Sequence, residues 1–305
     1  MLKLVSAVVL IVMTAVACGV NERNASTETL PEVEIQSGFA DVPAGQLYYE
    51  TAGRGEPVVL IHGNIGDRRH WDPQFHVLAT HYRAIRYDVR GFGKSSVPLE
   101  GTPYFDYQDL VALLDHLGVR SAHVAGWSMG SGIAIDFVLT HPKRARSLIS
   151  VGPWVSGYSS PAAKQLFGVF TDVRAAIGKG GPPAAVEAFM TAPLFSATIV
   201  DPAAGAEFRR IAGDYSFWPF VHESPQQSLQ PAAASRTSQI ETPTLILTAE
   251  RDLPACLEVA DLLQRSIANS RKVVMKGTGH LLHLEKPDEF NQQLLEFLKK
   301  VATGA

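Results

Sequence analysis

The sequence predicts an α/β protein, a mostly parallel central sheet flanked by helices, with a helical cap inserted before its last strands. Three observations predict it. Short apolar or β-branched runs alternate with longer helical patterns at both ends of the chain, and parallel strands need such a covering helix at each crossover. The alternation lapses between residues 153 and 236, where glycine, proline, alanine and aromatic residues dominate. Several strand-like runs end in glycine-bearing turns that carry reactive side chains, the edge at which open α/β sheets bind ligands.

Taken in order, "EIQSGFADV" and "GQLYYET" read as a hairpin across a Pro-Ala-Gly turn. "PVVLI" (57–61) is a strand, "HWDPQFHVLATH" (70–81) a helix region and "RAIRYD" (83–88) a strand. Asp106–Leu117 is helical, with Leu110, Leu113, Leu114 and Leu117 on one face. Ser121–Ala125 is a buried strand and Ile133–Leu139 a helix apolar nearly all round, followed by the strand "ARSLISV" (145–151). "TPTLILTA" (242–249), "CLEVADLLQRSI" (256–267), "RKVVM" (271–275) and "PDEFNQQLLEFLKKV" (287–301) complete the alternation. The core is therefore expected in 33–152 and 237–305, with the cap in 153–236.

The 46% hydrophobic content suffices for a large core, and a formal net charge of -3 without basic runs argues against nucleic acid as a partner. Residues 1–18 read as an export signal. Lys3 precedes an apolar stretch, Leu4–Ala17, too short for a comfortable bilayer span. Residues 19–32, "GVNERNASTETLPE", are polar and aperiodic, a tether. Two processing routes stay open. Ala15-Val16-Ala17 fits a small-x-small cleavage site, whereas Cys18 resembles the lipidated cysteine of a bacterial lipobox, with Ala15 where leucine is usual. An uncleaved anchor is the third reading. The protein is expected to be exported, either anchored to a membrane through lipidated Cys18 or free. Cys256 is then unpaired, so no disulfide framework exists, and it reads as a small buried hydrophobe.

The strongest local signal is "GWSMG" at 126–130, between a buried strand and a buried helix. Glycines two residues either side of Ser128 let a strand turn sharply into a helix and lift the hydroxyl above the sheet edge. A serine hydroxyl needs a base, and the base needs an orienting acid. His280 lies on the glycine-bearing loop of "KGTGHLLHLEKPDEF", free to project over that edge. His76, His81, His116 and His123 suit surface or packing roles, and His283 packing beneath the loop. "TLILTAERDLP" offers two acids; Glu250 is still constrained by its strand, so Asp252, one step into the loop, is preferred. "VVLIHGN" ends a strand in a tight turn, nominating the N–H groups of Asn64 and Met129 as oxyanion donors. No dinucleotide or phosphate-loop fingerprint appears, so no cofactor is expected. His280 and His283 lack companion acidic or cysteine ligands, so no metal is expected either.

The H-G turn, elbow, acid and histidine follow one another in chain order, each at the end of a predicted strand. Over about residues 39–300 the chain resembles the α/β-hydrolase superfamily, nearest to small bacterial esterases, enol-lactonases and cofactor-free haloperoxidase-like members. "RYDVRGFGKSS", "GWSMG" and "GTGHLLHLEKPDEF" carry the resemblance. It implies the α/β-hydrolase fold, a Ser128–Asp252–His280 triad and hydrolysis of a small-molecule ester or lactone through an acyl-enzyme. Carbon–carbon bond hydrolysis, perhydrolysis or low-turnover ligand reception could use the same residues. Serine at 128 disfavours the branches with an aspartate nucleophile. Ser131 departs from the pattern, standing where many relatives have a second glycine. The pocket is expected to draw on Trp127, Trp154, Phe217 and Trp218.

Overall fold

The computed structural model describes residues 33–196 and 199–304. The expected signal (1–18) and tether (19–32), with Cys18, lie outside the described residues. Eight strands form one sheet: β1 (Ile35–Val42), β2 (Gly45–Ala52), β3 (Pro57–Ile61), β4 (Arg83–Tyr87), β5 (Ala122–Trp127), β6 (Ala145–Val151), β7 (Thr244–Ala249) and β8 (Ser270–Met275). Their order is β1-β2-β4-β3-β5-β6-β7-β8. β1 and β2 form the antiparallel hairpin, β2 pairs antiparallel to β4, and every later pairing is parallel. β3, β5 and β7 are buried along almost their whole length, which is why they read as mostly apolar runs.

Helices α1 (Asp72–Ala79), α2 (Asp106–His116) and α3 (Met129–Thr140) cover the first half of the sheet. Residues 70 and 71, expected to begin the helix region with α1, instead belong to a separate 3₁₀ turn, Arg68–Trp71, capped by Asp67. Pro73 sits in the first turn of α1, where a missing N–H costs nothing. α3 begins earlier than its apolar run, at Met129 directly after Ser128.

Between β6 and β7 come α4 (Pro161–Thr191), α5 (Pro193–Ser196), α6 (Pro202–Gly213) and α7 (Trp218–Val221). α4 is two helices in one run. Gly180 and Gly181 leave helical geometry, and Pro182 and Pro183 start the second half. α8 (Pro254–Ser266), α9 (Leu282–Glu285) and α10 (Pro287–Thr303) complete the chain, with Cys256 buried in the first turn of α8.

Candidate active site

β5 and α3 build the elbow. Ser128 adopts φ 53°, ψ -114°, a region that non-glycine residues occupy only under strain. Its flanking glycines are required by close approach. A Cβ on Gly126 would lie 2.1 Å from the Gly130 carbonyl oxygen, and one on Gly130 would lie 2.2 Å from that of Ile61. Both obstacles are backbone, so neither can swing aside. The departure at Ser131 is absorbed: its buried hydroxyl pairs with Ser150 Oγ at 2.6 Å, joining α3 to β6. Met129 opens α3, so its N–H has no helical carbonyl one turn back to bond.

The two acids after β7 separate cleanly. Asp252 is 4% exposed, and its Oδ1 accepts from His280 Nδ1 at 2.6 Å and from the Leu253 N–H at 2.8 Å. Its Oδ2 accepts from Thr248 Oγ1 (3.2 Å) and the Ala249 N–H (3.4 Å). A carboxylate only accepts, so Nδ1 carries a proton toward Asp252, and in the neutral ring Nε2 is the nitrogen with the free lone pair. Glu250 is exposed and accepts from the Gly277 N–H at 3.0 Å, tying its turn to the next loop. Gly152, at the end of β6, lies under the pair; a Cβ there would come within 3.1 Å of the His280 ring. Sequence reasoning passed over this glycine, whose only signal was its place at a strand end.

At the end of β3, Asn64 Oδ1 accepts the Ile65 N–H at 2.9 Å, so its side chain holds the turn. His62 braces that turn from below. Nδ1 donates to the Gly63 carbonyl at 2.7 Å and Nε2 accepts the Val89 N–H at 3.0 Å, which fixes the neutral tautomer. Burial, reinforced by neighbouring His62, pushes His70 down to about 3. Burial likewise holds His283 well below the usual imidazole range. The His283 ring is wholly buried, its centroid 4.8 Å from the rings of both Trp71 and Trp127. His70 and His283 form an uncharged bed against Trp127, whose Nε1 donates to the His280 carbonyl at 3.0 Å.

Two apolar lobes meet at Ser128. One is lined by Asn64, Ser128, Trp127, Phe189, Phe208 and His280, among others. The other adds Met129, Trp154, Phe167 and Cys256. Asn64, Ser128, Leu166 and Phe170 border both. Of the four expected pocket residues, Trp127 and Trp154 line this cavity. Phe217 and Trp218 do not. Phe217 is fully buried and packs on Tyr215 (centroids 4.6 Å) and Phe220 (5.7 Å), while Trp218 stacks on His222 at 4.7 Å. Their places are taken by Phe170 and Phe189 of α4, Phe195 of α5 and Phe208 of α6, which the sequence left undistinguished from the insertion's own packing.

The chain belongs to the alpha/beta hydrolase family, whose model matches residues 58–293. A protein of Azorhizobium caulinodans that carries the name carbamate hydrolase RutD is 28% identical over 256 residues, 84% of this chain and 96% of its own. The 2-hydroxy-6-oxo-6-phenylhexa-2,4-dienoate hydrolase of Comamonas testosteroni is 25% identical over 272 residues, covering 83% and 91%. Among solved structures, a thermophilic esterase from Thermogutta terrifontis superposes with a TM-score of 0.68 at 25% identity, covering 87% of this chain and 99% of that one. The protein is thus a hydrolase of this family.

Proposed function

We propose that this hydrolase cleaves a small, neutral carboxylic ester or lactone through an acyl-enzyme on Ser128. The observation that carries the reading is the buried 2.6 Å bond between Asp252 and His280, beside a strained serine that opens on the same cavity as the histidine. Asp252 holds the imidazole in the tautomer that leaves Nε2 as base. His280 takes the Ser128 proton as Oγ attacks the carbonyl carbon. The developing oxyanion is received by the N–H groups of Asn64 and Met129, each contributing roughly 10²–10³ in rate. His280 then protonates the leaving alcohol and activates the water that releases the acid.

The cavity favours apolar groups on both sides of the scissile carbonyl, since its two lobes diverge from Ser128. Neither lobe includes a lysine, arginine, aspartate or glutamate among the described residues. A substrate carboxylate, such as the dienoate in one relative's name, would find no cation to hold it, which favours neutral esters over dienoate carbon–carbon cleavage. The protein is proposed to act outside the cytoplasm, tethered through lipidated Cys18. A panel of neutral and carboxylate-bearing p-nitrophenyl and methyl esters tests the substrate reading. Preference for the charged members would overturn it.

A further inference from the structure

The end of the sheet opposite Ser128 carries a concentration of cations that the hydrolytic reading does not use. Because β1 is antiparallel to β2, and β2 to β4, β1 runs with the parallel strands and starts at the same end. The described chain therefore enters at the end where β3–β8 begin. A groove there is lined by Val33, Glu34, Arg54, Gly55 and Arg83. It shares Gly55 and Arg83 with a second groove that adds Arg120, Lys143 and Arg146. Arg144 and Asp115 border a third alongside, with Arg120 common to both.

Of the acids that line these grooves, Glu34 alone enters no ion pair among the described residues, one negative charge against four unpaired cations. Asp115 pairs with Arg144 at 2.7 Å, and Glu56 with Arg146 and His123. Among the described residues, Arg54, Arg83, Arg120 and Lys143 enter no ion pair, and Arg54, Arg120 and Lys143 are exposed. On a chain of formal net charge -3, four unpaired cations at one end make a local positive field against the overall balance.

We infer that this end is a docking surface for an anionic lipid bilayer. The chain before Val33 joins the fold here, and the 14-residue tether expected between Cys18 and the fold reaches at most about 50 Å when extended. A lipid-held N-terminus would hold the fold within that reach of the membrane, and the unpaired cations at this end would turn it toward an anionic surface. Ser128 lies at the far end of β5 from Arg120, so docking leaves the cavity facing solvent and its substrates. Each cation near an anionic surface strengthens binding by about fivefold at moderate salt, and screening removes the effect.

The test uses residues 31–305, the unit that accounts for nearly the whole length of the esterase and the carbamate hydrolase relative, and needs no lipid anchor. Co-sedimentation with vesicles of phosphatidylglycerol in phosphatidylcholine, against phosphatidylcholine alone, reads binding without reference to catalysis. The expected result is selective binding to the anionic vesicles, abolished by high salt. The triple variant Arg54→Gln, Arg120→Gln, Lys143→Gln should bind on the order of 10²-fold more weakly, with its melting temperature and ester turnover unchanged. Equal binding to neutral vesicles, a triple variant within twofold of the parent, or tighter binding to duplex DNA than to anionic vesicles would each overturn the inference. Loss of hydrolysis with vesicle binding intact would instead count against the proposed function alone.

Discussion

Replacing Asp252 by asparagine removes a charge and, with it, a pattern of acceptors that an amide cannot reproduce. Asp252 Oδ1 faces two N–H donors, His280 Nδ1 and Leu253 N, and Oδ2 faces the Ala249 N–H and the Thr248 hydroxyl. An asparagine has one oxygen and one NH₂. Placed with its oxygen toward His280, it sets the NH₂ against the Ala249 N–H. Flipped, it sets the NH₂ against both Leu253 N–H and the imidazole, which drives the proton to Nε2 and removes the base. Either arrangement also withdraws the charge that stabilises the imidazolium. Loss of the orienting carboxylate in such a triad costs on the order of 10³–10⁴ in kcat, or about 4–5 kcal/mol of barrier. Initial rates on p-nitrophenyl butyrate, normalised by active-site titration, measure it. Glu250→Gln, whose partner is the Gly277 N–H, should stay within about threefold of the parent. An Asp252→Asn enzyme with more than a tenth of parental kcat, or a Glu250→Gln loss of equal size, would refute the reasoning.

Four further outcomes are expected. Gly130→Ala forces a Cβ to within 2.2 Å of the Ile61 carbonyl oxygen, so it should destabilise by at least about 1–3 kcal/mol and abolish turnover, read by thermal melts and rates. Phe170→Ala enlarges both lobes and should move the optimum of an acetyl-to-octanoyl ester series to longer chains. Phe217→Ala should leave the optimum in place while costing about 3–5 kcal/mol of stability. Burial, then the Asp109 charge, raises Asp106 to about 7, and its Oδ2 accepts from Gln226 Nε2. A raised folded-state value means that this group's contribution is full below about pH 4 and is lost as pH rises through 7. Asp106→Asn should therefore flatten the stability profile by roughly 2–3 kcal/mol between pH 5 and pH 8, measured by urea unfolding at each pH.

What could be read from the sequence depended on how local its cause was. The elbow was legible because backbone crowding at Gly126 and Gly130 is a matter of a few consecutive residues. β3 was legible end to end, since a strand buried on both faces leaves an uninterrupted apolar run. The preference for Asp252 over Glu250 followed from distance along one loop. The cavity wall was not legible. In the insertion, the residues lining the cavity and those packing within it are aromatic alike, so composition cannot separate Phe208 from Phe217. Which ring turns toward Ser128 is set by how α4 and α6 dock on the sheet, a long-range matter. Phe217 itself takes φ 55° just ahead of α7, and its ring packs on Tyr215, outside the cavity lining. The 3₁₀ turn at 68–71 was missed for a similar reason: its cap, Asp67, is a local signal, but Arg68 is held by Glu50 of β2 and by Asp88 just past β4, each about one element away in sequence.

The most direct test of the central claim is to find which atom takes the acyl group. A fluorophosphonate, followed by tryptic digestion and mass spectrometry, should label one peptide in one-to-one stoichiometry, at Ser128. Labelling should vanish in Ser128→Ala and fall sharply in His280→Ala, while both variants keep the parental melting temperature. A p-nitrophenyl ester should give a burst equal to the concentration of labelled sites. Label elsewhere, label that persists in Ser128→Ala, or hydrolysis at the parental rate without Ser128 would contradict the account.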